Sequence, residues 1–586
     1  MTNDREPGLD RRTFLGLCSA MGVGHPAFAD ALWRKAGATG LGEAPLDVEG
    51  QRQEAEGPIT GEQVKAAEQV IGLELTDEER EMLLRDLNGA LRNYQAVRDV
   101  PLANSVPPAI RFDVETPGLV SLPPSGPSLR LADERRATPS RPDNDGDLAF
   151  LPVTELAALL RARKVSSMEL TRLYLDRLKR HDPTLLCVVN LTEERALNQA
   201  RRADQEIRSG NYRGPLHGVP WGAKDLLAVP GYPTTWGSPI FKDQRLEQTA
   251  TVVRKLDEAG AVLVAKLSLG ELAQGDVWFG GTTKNPWNTE QGSSGSSAGS
   301  ASATAAGLVG FAIGTETLGS IVSPSTRCGV TGLRPTFGRV SRYGAMALSW
   351  TMDKVGPLCR SVDDCGLVLG AIHGADGLDP TAVDRPFRWA PSKGLRGIRV
   401  GYLASAFEAD RPNREFDTAA LDVIRGLGIE LTPVDFDGEV PVSALRFILS
   451  AEAGAAFDEL TRSGRDEQMV RQVRGAWPNT FRASRFVPAV EYLNANRVRT
   501  LLMRQLDRAL RLVDVVVAPS FGGSTLLATN LTGHPTVVLP NGFTDQGTPV
   551  SLSFVGRLWG EADALAVAKA YQEATGFHRR RPEGFV

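Results

Sequence analysis

Two hydrophobic periodicities alternate along most of this chain. Between about 60 and 100 the apolar positions follow a helical spacing. Leu83, Leu87, Leu91 and Tyr94 fall on one face. Thr60-x-x-Gln63 and Thr76-x-x-Glu79 have the form of capping boxes opening two helices, and Ile59 and Val64 are placed as a hydrophobic staple around the first. Beyond about 150, "SSMELTRLYLDRLKRH" and "TATVVRKLDEAG" are amphipathic at helical period. "AVLVAK", "GIRVGYL" and "VDVVVAPS" are short runs rich in β-branched residues, the pattern of strands buried on both faces. This alternation predicts an α/β domain with a largely parallel or mixed sheet covered by helices.

Proline divides the pattern. Residues 116–145 carry Pro117, Pro123, Pro124, Pro127, Pro139 and Pro142, which lack amide donors and oppose both helix and sheet. The expected organisation is a helical extension over 45–115, a Pro-rich connector over 116–147 and an α/β domain over 148–586. The two helices of the extension read either as a docking appendage or as a pair packed on the main domain. Ahead of them stands "LDRRTFLGLCSAMGVGHPAFADA". Arg11-Arg12, a short apolar stretch and the small-x-small site Ala27-Phe28-Ala29 occur in the order of a twin-arginine export signal over 1–29. That reading places the protein in the periplasm or outside the cell. The alternative, a helix start with Asp10 near its cap, leaves it in the cytoplasm.

Composition narrows the function by exclusion. Over 586 residues the net charge is −4, with 23% charged and 42% apolar residues, so no positive field would attract nucleic acid. No apolar run reaches the roughly 20 residues needed to span a bilayer, and no stable membrane insertion is expected. The five cysteines form no Cys-x-x-Cys pair, and neither a metal nor a cofactor is expected.

The chemistry concentrates in "QGSSGSSAGSASATAAGLVGFAIGTETLGSI", residues 291–321. A Gly/Ser linker fits poorly, because the stretch runs into an apolar segment fit for burial. A phosphate cradle lacks its lysine and glycine spacing. Gly295-Ser296-Ser297-Ala298-Gly299 matches a nucleophile elbow centred on Ser297, but no apolar strand precedes it, and His373, His534 and His578 sit in no telling context. A serine nucleophile can instead use a desolvated, neutral lysine as base. Lys224 in "LHGVPWGAKDLLAVPG" lies among small and apolar residues; alone it would also suit a snorkelling surface lysine.

Five motifs then occur in order: "GVPWGAKDLL", "NPWN" at 285–288, "GSSAGSA" at 295–301, "GTETLGSI" at 314–321 and "CGVTGLRPTFGRVSRYG" at 328–344. With "MDKVGPLCRSVDD", "NLTGHPTVVLPNGF" and "VSLSFVGR" further along, the chain from about 150 to 575 resembles the amidase signature family. The resemblance implies a mixed, twisted β-sheet core covered by helices and a Ser-cisSer-Lys triad. Lys224 matches the family's base, Ser296 the serine after a cis peptide bond and Ser320 the nucleophile. The amides of Thr317, Leu318, Gly319 and Ser320 match the oxyanion hole. It further implies a small-molecule amide substrate and, by family habit, a homodimer. Leu318 stands where a glycine is usual and Val322 where an arginine is usual, departures that bear on the substrate rather than the triad. The resemblance puts the substrate pocket in the region of about 370–515, where Trp477 and Phe486 read as cleft lining or, for either one singly, as plain core. An amidotransferase subunit that takes ammonia from glutamine is the alternative function, since residues 62–100 vaguely resemble the small helical partner of such complexes. A non-catalytic protein that has kept the fold is a further alternative.

Overall fold

The computed structural model describes residues 57–101, 110, 138–390, 394–436 and 438–586. The expected export signal at 1–29 and most of the expected 116–147 connector therefore lie outside the described residues. The chain forms two compact units. One joins the stretch up to Ile110 with Glu439–Leu501. The other holds Arg111–Gly438 and Leu502–Val586.

In the first unit, α1 (Gly61–Ile71) and α2 (Asp77–Arg98) each open with a complete capping box, at Thr60/Gln63 and Thr76/Glu79. Each box satisfies two amides that a helix start would otherwise leave unpaired. Leu83, Leu87 and Tyr94 are buried as their spacing requires, and Val64 joins the two leucines in one cluster with Ile59 against it. These helices pack on the 439–501 stretch. The Tyr94 ring meets Phe447 edge-on at 5.3 Å. Arg482 pairs with Glu79 at 2.7 Å and with Asp466 at 3.0 Å, and Arg98 reaches Glu491 at 2.6 Å. Trp477 stacks on Phe481 at 5.2 Å, and Phe486 packs against the cluster formed by Val64 of α1 and the leucines of and just before α2. Trp477 belongs to this unit's core, and Phe486 packs half-buried against it.

The second unit is built on an eleven-stranded mixed sheet. Its strands in chain order are β1 (Val188–Leu191), β2 (Pro220–Lys224), β3 (Val262–Leu267), β4 (Phe311–Glu316), β5 (Thr331–Arg334), β6 (Lys354–Cys359), β7 (Val400–Leu403), β8 (Leu431–Val434), β9 (Val515–Pro519), β10 (Thr536–Phe543) and β11 (Pro549–Gly556). Their order across the sheet is β1-β3-β2-β4-β6-β5-β10-β11-β9-β7-β8. β2 runs parallel to both β3 and β4, and β4 is antiparallel to β6. The middle of the sheet reads as continuous apolar sequence because helices cover it. Helix α3 (Ser167–Leu185) contributes Leu175 and Leu178 to the same buried cluster as Val262, Val264 and Leu267 of β3. Apolar burial of this kind stabilises by about 25 cal/mol per Å². The apolar half of the Gly/Ser stretch forms a fully buried helix, α4 (Ala298–Ala305), followed by β4. Its alanines, serines and glycine keep α4 thin enough to lie against the sheet.

Candidate active site

Lys224 ends β2, between β3 and β4, and has no exposed surface. Its Nζ lies 2.9 Å from Ser296 Oγ, 3.1 Å from Ser297 Oγ and 2.9 Å from Thr315 Oγ1. Burial lowers its pKa from an ordinary 10.5 to about 7, against the opposing pull of the Asp353 and Glu316 charges. Near neutral pH a large share of this amine carries a lone pair, which is what a general base needs.

The two serines beside it differ in what they have left to offer. Ser297 Oγ accepts from the Thr315 amide and donates to the Thr315 carbonyl, both at 3.1 Å, besides its contact with Lys224. Those bonds pin it to β4 and engage it with lysine and backbone rather than with a histidine, which removes the elbow reading. Among the described residues, Ser296 Oγ has Lys224 as its one partner. The Gly295–Ser296 peptide bond is cis. A Cβ at position 295 would sit 1.8 Å from the Gly275 carbonyl oxygen, so glycine is required there for backbone to pass backbone.

Ser320 lies in the turn between β4 and helix α5 (Val322–Cys328) and is 8% exposed. Its carbonyl accepts from the Ser297 amide at 3.1 Å, which ties the turn to the serine pair. Its Oγ makes no hydrogen bond to another described residue, Ser296 included. Glycine at 319 meets the turn's positive φ of 84°, whereas Leu318 lies outside the left-handed region and carries its side chain there without backbone conflict. Ahead of α5, Glu316 Oε2 accepts from the amides of Ile321 and Val322 at 2.8 and 2.9 Å. The four preceding amides, of Thr317, Leu318, Gly319 and Ser320, have no acceptor among the described residues. Buried or nearly buried amides are seldom left unpaired. A run of four marks a place prepared for negative charge.

A buried frame holds this turn. Glu316 Oε1 pairs with Arg334 of β5 at 2.7 Å and accepts from Asn530 at 2.8 Å. Burial disfavours its charge, but Arg334 and these donors outweigh burial and hold its pKa at about 2. Thr317 Oγ1 donates to Asp353 at 2.6 Å, and the other carboxylate oxygen accepts from the Leu348 and Ser349 amides. Next to Lys224 in sequence, Asp225 pairs with Lys266 of β3 at 2.6 Å with both side chains fully buried, bracing the end of β2. Thr315, Asp353, Arg334, Asn530 and Lys266 escape sequence reasoning. They come from separate strands, a loop and a helix, and none carries a spacing that points to Lys224.

A chain in which Lys224, Ser296, the cis bond and four unclaimed amides meet in this way invites comparison with known proteins. The family model described as Amidase matches residues 169–529. The chain belongs to the amidase family. Among curated amidase relatives, it is 35% identical over 483 residues to the A-type subunit of the glutamyl-tRNA(Gln) amidotransferase of Chloroflexus aggregans, covering 75% of this chain and 99% of that protein. Among solved structures it matches the native peptide amidase from Stenotrophomonas maltophilia at 31% identity with a TM-score of 0.65, over 74% of this chain and 98% of that one. A complex of a peptide amidase with the competitive inhibitor chymostatin matches at 33% identity and a TM-score of 0.66, over 74% and 98% of the two chains. These neighbours carry the amidase signature fold expected from the sequence. Among the described residues no helix is long and apolar enough to cross a membrane, and no group of His, Cys, Asp or Glu is arranged to hold a metal ion.

Proposed function

We propose that this protein hydrolyses a carboxylic amide to a carboxylate and ammonia or an amine, through an acyl-enzyme on Ser320. Neutral Lys224 accepts the Ser296 proton, and Ser296 accepts that of Ser320. The Ser320 Oγ attacks the amide carbon. The oxyanion so formed lies against the amides of Thr317, Leu318, Gly319 and Ser320. Removing one donor from such a cradle typically costs about 2.7–4 kcal/mol of transition-state stabilisation. The proton returns through Ser296 to the leaving nitrogen as the C–N bond breaks. Water, activated by the same relay, then cleaves the ester. The Ser320–Ser296 hydrogen bond, absent from the free protein, forms in the substrate complex, where catalytic hydrogen bonds commonly come into register. One observation carries the reading: a wholly buried lysine 2.9 Å from Ser296 Oγ, lowered to about 7 by burial. The test is labelling of purified protein with a fluorophosphonate, followed by peptide mapping. The label is expected on Ser320 and absent from Ser320→Ala. A label on Ser297, or none, refutes the assignment.

The 35% identity to an amidotransferase component favours a second reading, an ammonia-releasing glutaminase that works inside a larger complex. It predicts stable co-purification with partner chains, whereas the amidase reading predicts a homodimer that is active alone. We also propose that residues 1–29 are a twin-arginine signal, supported by Arg11-Arg12, the apolar stretch after them and Ala27-Phe28-Ala29. Export would keep the protein from a tRNA-linked partner. Cell fractionation of the wild type and an Arg11→Lys/Arg12→Lys variant tests it, with loss of the periplasmic fraction expected in the variant.

A further inference from the structure

A cavity of about 320 Å³ opens beside the site, reaching it at Thr315 and Thr317. That volume is at the small end of ligand pockets, which run to roughly 300–1,000 Å³. The charged side chains in its wall are already engaged with protein groups. Arg342 donates through Nε to Asp379 at 3.1 Å, through Nη1 to the Trp350 carbonyl at 2.8 Å and through Nη2 to Thr381 Oγ1 at 2.8 Å. Asp353 accepts from Thr317, Leu348 and Ser349. Lys354 Nζ donates to the Met352 carbonyl.

The apolar side chains of the wall are in the opposite condition. Tyr343, Trp350 and Leu378 are 37%, 49% and 43% exposed, although large apolar groups gathered at one mouth are seldom left to water without a use. Leu226, Met346 and Leu348 continue the apolar lining inward. A ligand that entered with an ammonium and a carboxylate would have to break the Arg342–Asp379 pair or leave its own charges unpaired, and unpaired charge is costly to desolvate. A ligand with a flat apolar group would cover exposed rings and disturb no ion pair.

Resting on the amidase reading above, we infer that the substrate's acyl group is bulky and apolar, preferably aromatic, seated against Trp350, Tyr343 and Leu378. Free glutamine is a poor substrate for this cavity.

Steady-state kinetics on purified full-length protein test this with three primary amides: phenylacetamide, propionamide and glutamine. The kcat/KM for phenylacetamide is expected to exceed that for glutamine at least 100-fold. Trp350→Ala is expected to lower the phenylacetamide-to-propionamide ratio at least tenfold, mainly through KM, and Leu378→Ala to lower it less. Both residues are half-exposed, so at least one variant should fold. Glutamine turned over as well as phenylacetamide, or a ratio unmoved in both variants, overturns the inference. Fluorophosphonate labelling of the same preparations separates the two levels. Ser320 labelled with glutamine preferred overturns the substrate class alone. Ser320 unlabelled with all three amides untouched overturns the amidase reading and this inference with it.

Discussion

Replacing Lys224 with methionine isolates the energetic consequence of burying this amine. Folding lowers its pKa from 10.5 to about 7, a difference worth about 5 kcal/mol in the linkage between protonation and stability. The sign follows from which state binds the proton. Between pH 7 and 10.5 the unfolded chain holds a proton on Lys224 that the folded chain has mostly released. The free energy of unfolding must therefore rise with pH across that window. Integrated from pH 7 to pH 9, the gain is roughly 2 kcal/mol. Methionine has similar length and no titration. The difference in unfolding free energy between wild type and Lys224→Met cancels the other ionisable groups and leaves this one. Urea unfolding at pH 7, 8 and 9 is the assay, with wild type gaining on the variant by about that amount. The same group fixes the kinetics: kcat/KM of the wild type should fall about tenfold per pH unit below an acid limb near 7, and Lys224→Met should be inactive throughout. A stability difference that stays flat from pH 7 to 9, or an acid limb at about 10, would show that the lysine keeps its proton near neutral pH and would refute the neutral-base mechanism.

Two further outcomes follow from the frame around the turn. Glu316→Gln leaves Arg334 buried without its counter-charge and should cost about 3–5 kcal/mol at pH 7. Because the wild-type carboxyl is held at about 2 against an ordinary 4.5, that penalty should be full above about pH 4.5 and shrink as pH falls towards 2; thermal melts at pH 7 and pH 3 check it, and a penalty independent of pH contradicts the pairing. Thr317→Val cuts the bond to Asp353 and should lower kcat on the order of tenfold, less than the 10²–10³ seen when an oxyanion donor itself is lost, with Thr317→Ser restoring it; an unchanged kcat would show that this contact does not hold the cradle.

Much of this molecule was legible along the chain, and for local reasons. A capping box needs only residues three apart, so both N-terminal helix starts could be read directly. "AVLVAK" and "VDVVVAPS" could be read as strands because they are short and rich in β-branched residues, which suit a pleated surface buried on both faces. The Gly/Ser stretch carried its own evidence: Gly295 permits close backbone passage, Gly319 a positive φ, and the alanines of α4 a thin buried helix. The order of motifs placed Lys224, Ser296 and Ser320, and the structure brings the first two into direct contact and ties the third to them through the Ser297 amide.

What the chain order could not decide depends on distance across the fold. The sequence determined that a lysine lies in an apolar segment; only packing between β3 and β4 made it dry enough to lose its proton near pH 7, because desolvation belongs to the whole surrounding volume. It offered two adjacent candidate serines; only the Thr315 backbone decided that Ser297 is pinned to β4 while Ser296 keeps Lys224 as its one partner among the described residues. It named Glu316 as part of a motif, while its charge is set by Arg334 and Asn530, 18 and 214 residues away. The aromatic pair Trp477 and Phe486 could not be assigned from composition, since an apolar side chain reads alike in a cleft and in a core. Only tertiary packing buried Trp477 against Phe481 and set Phe486, half-buried, against leucines of and just before α2, far away in the chain. Local hydrogen bonding and periodicity are written residue by residue; burial, and the pKa values that follow from it, exist only once distant segments have excluded water together.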